Sequence, residues 1–102
     1  MFRHIVMWKF KDEAEGKTKA ENCLYIKAGL EALPAHIPFI KKLEVGINEY
    51  HSSMASDMVL IVEFDTKEDL DLYAVHSEHV KISDYVTKVR ISRTVTDYTL
   101  SK

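Results

Sequence analysis

Apolar and polar positions alternate through the first ten residues. Phe2, His4, Val6, Trp8 and Phe10 fall on one side, and Arg3, Ile5, Met7 and Lys9 on the other. A period of two predicts a strand, and apolar residues on both sides predict one that is covered on both. Asp12 to Gly16 is a polar connection. From Lys17 to Leu33 the period becomes helical, with Cys23, Ile26, Leu30 and Leu33 on one face. Gly29 weakens that helix slightly, and Pro34 and Pro38 bound a short linker that stops it. Ile40 to Asn48 alternates again as a second strand, followed by a polar loop from Glu49 to Asp57. Met58 to Phe64 is an apolar run broken only by Glu63, which predicts a central buried strand.

Thr66 with Asp69 three residues later resembles a capping box and predicts a helix over Lys67 to Tyr73. Ser77 is placed to cap a further helical segment from Glu78 to about Lys88, whose apolar face is Ile82, Val86 and Val89. Val89 to Thr99 is β-branched and alternating, a last strand. The order β-α-β-β-α-β is the split βαβ arrangement of ferredoxin-like α+β folds: a four-stranded antiparallel sheet with both long helices on one face. Residues 1–102 read as a single domain.

Helices cover only one face of such a sheet. Turning Ile5 and Met7 toward the helices leaves Phe2, His4, Val6, Trp8 and Phe10 on the uncovered side, together with Met58, Leu60, Val62 and Phe64. Each large apolar side chain buried contributes roughly 1.5–3 kcal/mol, so this surface calls for a partner. A second copy, sheet against sheet, closes a barrel into which His4 points.

Composition narrows the class. With 46% apolar and 29% charged residues the chain is globular rather than disordered. A net charge of -2 with mixed signs supplies no basic patch for nucleic acid. Cys23 stands alone, so no intrachain disulfide or cysteine-based metal knuckle is expected, and its place on an apolar helix face suits inert packing. No apolar run reaches the length of a membrane span and the first residues do not read as a signal peptide, so no membrane partner and a cytoplasmic location are expected.

The candidate chemistry is a tyrosine and three histidines. Tyr73, His76 and His79 recur at a spacing of three, and His4 lies in the first strand. Imidazole titrates near neutral pH and a phenol donates a hydrogen bond. Tyr73 and His79 form a candidate acid/base pair if both reach one substrate proton. Otherwise Tyr73 packs and His79 bonds the backbone. His76 at a helix junction reads more readily as a cap. His36 and His51 fall in loops. His76 and His79 have a spacing that lets two ligands share a metal, but a third is needed; nothing in the sequence shows that His4 supplies it, and no metal site is expected.

Four stretches together resemble a known family: Arg3-His4-Ile5-Val6-Met7-Trp8-Lys9-Phe10-Lys11-Asp12, then Ile37-Pro38-Phe39-Ile40-Lys41 with Val45-Gly46, then Val62-Glu63-Phe64-Asp65, then Tyr73-Ala74-Val75-His76-Ser77-Glu78-His79. They are similar to the stress-responsive A/B barrel (Dabb) family of the dimeric α/β-barrel superfamily, including members of the olivetolic acid cyclase type. Ser77 stands where the family motif has proline. The resemblance implies a homodimer, a catalytic pair at Tyr73 and His79, and a ligand pocket at His4, Val6, Trp8, Met58 and His76. Met58 stands where the cyclases have a further pocket histidine. Some plant members hold magnesium through backbone carbonyls, here those near Pro34, Ile37 and Ile40. The expected function is a homodimer binding a small, partly apolar or phenolic molecule without a cofactor. The alternatives are a cofactor-independent cyclase or proton-transfer enzyme, in which His79 is the base, Tyr73 the donor to an oxyanion and His4 a positioning group; a structural stress protein; and a cofactor-free monooxygenase.

Overall fold

The structure, a computed structural model, describes residues 1–101. In chain order its elements are β1 (Phe2–Phe10), β2 (Glu13–Ala14), β3 (Lys17–Thr18), α1 (Lys19–Glu31), α2 (Leu33–His36), β4 (Lys42–Ile47), β5 (Met58–Phe64), α3 (Lys67–Val75), α4 (Ser77–Val89) and β6 (Arg90–Thr99). The main sheet is antiparallel in the order β4-β5-β1-β6, with the helices on one face. The ferredoxin-like arrangement expected from the sequence is present. Among the described residues no helix is long and apolar enough to cross a membrane.

Local chemistry explains the departures from the simple pattern. The polar connection after β1 is a small hairpin, in which β2 pairs with β3. Its turn places Glu15 at φ 52 and Gly16 at φ 74, the two positive angles that a tight two-residue hairpin turn needs. Helix α1 then starts at a full capping box. The Thr18 hydroxyl accepts the Glu21 N–H at 3.2 Å, and Glu21 Oε1 accepts the Thr18 N–H at 2.9 Å. Asn22 locks this corner. Fully buried, it donates through Nδ2 to the Ala14 carbonyl (3.1 Å) and accepts the Tyr85 hydroxyl at Oδ1 (2.6 Å). Pro34 does not end in a linker. It opens the short helix α2, because a first-turn residue has no helical partner for the N–H that proline lacks.

The sheet faces are the reverse of the orientation expected above. Val6, Trp8 and Phe10 of β1 and Met58, Leu60, Val62 and Phe64 of β5 are buried in one core with Ile26 and Leu30 of α1, Tyr73 of α3, and Ile82, Val86 and Val89 of α4. The uncovered face carries Ile5, Met7, Val59 and Ile61, with Met7 42% exposed, and a charged margin where Arg3 Nη2 meets Glu63 Oε2 at 2.9 Å. Alternation says which residues share a face; it does not say which face the helices take. The helices settle on the aromatic side because Trp8 and the phenylalanines offer their apolar stripes more area to bury. His4 therefore looks toward the helices, inside one protomer.

Candidate functional site

Between the helix-covered face of the sheet and the helices lies a cavity of about 230 Å³. Strand β1 contributes His4, Val6 and Trp8 to its wall and β5 contributes Leu60. Leu30 comes from α1, and His79, Ile82, Ser83, Val86 and Thr87 from α4. Arg90 and Arg93 come from the start of β6.

His4 is 6% exposed and directed by a carboxylate. The antiparallel register of β1 and β6 sets it opposite Asp97, and its Nδ1 lies 2.5 Å from Asp97 Oδ1. The carboxylate accepts the Nδ1–H, which leaves Nε2 as the free end of the ring.

His79 is directed by the backbone. At His76 the chain turns out of helical geometry (φ -65, ψ 133) between α3 and α4, and three residues later the His79 Nδ1–H donates to the Ala74 carbonyl at 3.2 Å. That bond fixes the neutral tautomer with an open Nε2. Burial holds the His79 pKa below the usual imidazole value; the Ala74 carbonyl opposes this, and the nearby Arg93 guanidinium, with His4 and His76, reinforces it.

Tyr73 lies behind both histidines. Its ring is centred 4.2 Å from that of His79 and 6.2 Å from that of His4, and it also packs on Phe64 at 5.3 Å. It is 1% exposed, and among the described residues its buried hydroxyl has no hydrogen-bond partner. Burial pushes the phenol well above its ordinary range, against the opposing charge of Arg93, so it stays a protonated donor. The indole N–H of Trp8 is likewise buried without an acceptor.

With this geometry in view, the relatives can be compared. The sequence profile of the stress responsive A/B barrel domain matches residues 2–100. The chain belongs to the stress responsive A/B barrel domain family. A dimeric protein of unknown function and ferredoxin-like fold from Bacteroides fragilis is 34% identical, with 97% of this chain and 95% of that one covered and a TM-score of 0.80. A dimeric ferredoxin-like protein of unknown function from Thermobifida fusca superposes with a TM-score of 0.83 at 19% identity, over 97% of this chain and 90% of that one. A hydroxynitrile lyase from Passiflora edulis shares the fold at 14% identity, with a TM-score of 0.81 and coverage of 99% and 94%. No curated protein sequence matches.

The other expected pocket positions divide between this cavity and other places. Val6 and Trp8 line the cavity, but Met58 does not. It is 1% exposed and borders a separate hollow with Met7, Gly46 and Ile47. His76 is also away from the cavity wall: its Nδ1 accepts the Glu78 N–H at 3.1 Å, so it and not Ser77 caps α4. Near Pro34, the Ile37 carbonyl already accepts the Ile40 N–H at 3.1 Å. Among the described residues, no three His, Cys, Asp or Glu side chains are grouped so as to hold a metal ion. Cys23 is buried, and burial raises its thiol pKa, which suits packing rather than nucleophilic attack.

Asp97, Arg90 and Arg93 were not singled out from the sequence. The one available signal was on the last strand, where Arg93, Val95 and Asp97 share a face by alternation. Linking that face to His4 requires the β1–β6 register, which joins residues 93 positions apart in sequence.

Proposed function

We propose that this chain works as a homodimer and that each protomer binds a small, partly apolar molecule in the cavity, where His79 acts as a general base. The observation that carries the reading is the state of His79. Its Nδ1–H is committed to a backbone carbonyl, burial favours the neutral ring, and Nε2 is left to accept a proton at a hollow with both apolar and polar walls. A base of this kind takes a proton lying next to a carbonyl and returns it to the product, as in cyclisation or isomerisation, and needs no redox cofactor. His4, steered by Asp97, positions the reacting group, and the Tyr73 ring, centred 4.2 Å from that of His79 and off the cavity wall, backs the base.

The homodimer is supported by the dimeric relatives and by Ile5, Met7, Val59 and Ile61 on the uncovered sheet face. We read residues 1–102 as one domain working in the cytoplasm, where a lone buried thiol such as Cys23 stays reduced. The test is a histidine NMR titration with 4-propylphenol. The ring signals of His4 and His79 should move together on a single binding curve, with the exposed His51 unmoved. Movement of His51 alone would sink the reading.

A further inference from the structure

We propose that the cavity selects an acidic occupant, a carboxylate on a ring or short chain, whose head is held by the guanidinium groups of Arg93 and Arg90 while its apolar body lies against Val6, Leu60 and Val86. This rests on the reading of the cavity as a binding site and adds the chemical class of what it takes.

The charge of the wall runs against that of the chain. The protein has 16 acidic side chains against 14 Lys and Arg, yet the ionisable groups on the cavity wall are His4, His79, Arg90 and Arg93, with no aspartate or glutamate among them. Asp97, the acid bound to this site, is engaged at His4 Nδ1. Among the described residues neither arginine forms an ion pair with a carboxylate. Surface arginines without partners are common, but these two are placed by the fold. Register pairs Arg93 with Trp8, so it stands on the helix side of β6 next to a cavity-lining residue, and Arg90 follows directly on α4. The Arg93 charge reaches the reactive groups as well, lowering the pKa of both His79 and Tyr73.

The shape of the wall fits an amphiphile. The planar fork of arginine matches a carboxylate through paired N–H donors. Arg93 is exposed and Arg90 half-buried, so the head group sits near solvent and keeps part of its hydration. The hollow, about 230 Å³, exceeds the ~150 Å³ that accommodates a benzene ring, which leaves room for one ring and a short tail.

The experiment compares 4-propylbenzoate with the neutral 4-propylbenzamide, following the single tryptophan indole signal and the His79 ring by NMR. Both probes should move both signals, and the acid should bind about tenfold or more tightly than the amide. The acid should also raise the His79 titration midpoint, because it offsets the Arg93 charge, and the amide should not. Arg93→Gln should bring the acid down to the affinity of the amide and leave the amide unchanged, while Arg93→Lys keeps part of the preference. Equal binding of acid and amide by the wild type overturns acid selection and leaves the cavity reading standing. So does a preference that survives in the Arg90→Gln, Arg93→Gln double variant. Tighter binding of 4-propylphenyl phosphate than of the benzoate overturns the carboxylate assignment. No response of Trp8 or His79 to any probe overturns the cavity reading, and this one with it.

Discussion

The two faces of the central sheet are built from the same strands and have different fates. The covered face stacks Trp8 and Phe10 at 6.2 Å and carries Val62 and Phe64 with no exposed surface. The open face has aliphatic side chains in its middle and an Arg3–Glu63 pair at its margin, with Tyr98 accepting from Arg3 Nη1 at 3.2 Å. One face is an interior. The other has the composition of a surface that meets a partner, with an apolar centre and a polar rim. Only the interior face carries the candidate site, and there the packing is incomplete: a cavity opens beside Trp8, whose buried indole N–H has no partner among the described residues. The proposed dimer surface and the candidate chemistry are thus on opposite sides of one strand.

The harshest way to break this comparison is to charge each face in turn. Phe10→Asp places a carboxylate at a fully buried position in the apolar core. We expect loss of the cooperative thermal transition in circular dichroism; a melt close to that of the wild type would mean that β1 is not core. Leu60→Ala on the same face should cost about 2–5 kcal/mol in urea unfolding, less if the neighbouring cavity lets the site relax.

Met7→Asp changes the neighbouring strand position on the other face and should act differently. The helix content should persist, while sedimentation velocity at low micromolar concentration should fall from twice the chain mass to the chain mass. A dimer that tolerates Asp at both Met7 and Ile61 would not be joined through this face.

The same contrast shows what could be read from the chain alone. Element order followed from local pattern, because the apolar run of Met58–Phe64 and the helical period of Cys23–Leu33 are each complete within a few residues. Which side of β1 meets the helices did not, because both sides hold apolar residues and the choice is made by packing against distant helices. The hairpin at Glu15-Gly16 was missed because Glu is an uncommon residue at a positive φ. Tyr73, His79 and His4 could be picked out by residue type and family likeness. Asp97 and Arg93 are polar positions of a β-branched, alternating last strand, and only register brings them to the histidines.

A smaller effect separates the two helix-side histidines that are three apart. His76 caps α4, so His76→Ala should cost about 1 kcal/mol and His76→Ser should restore most of it. Neither should change the binding of 4-propylphenol, since His76 is not on the cavity wall. A variant with wild-type stability and lost binding would return His76 to the site.

The smallest effect tests whether the covered face is dry at His79. An unfolded chain titrates this imidazole near its ordinary value of 6.5, whereas burial, first among the causes, sets the folded value lower. Above 6.5 the ring is neutral in both states, and pH does not alter stability through it. Below that value the unfolded chain binds the proton first, so stability falls as pH drops, until the folded ring is protonated too and the slope disappears. His79→Gln keeps a donor for the Ala74 carbonyl but cannot titrate. Urea midpoints taken at about pH 7.5 and about pH 5.5 should therefore fall more in the wild type than in the variant. His4, His36, His51 and His76 are present in both proteins and cancel in the difference. Equal losses would mean that folding places no penalty on the charged ring. The cavity would then be wet at its catalytic end, and His79 would be a solvated histidine on a helix and not a base held neutral by the core.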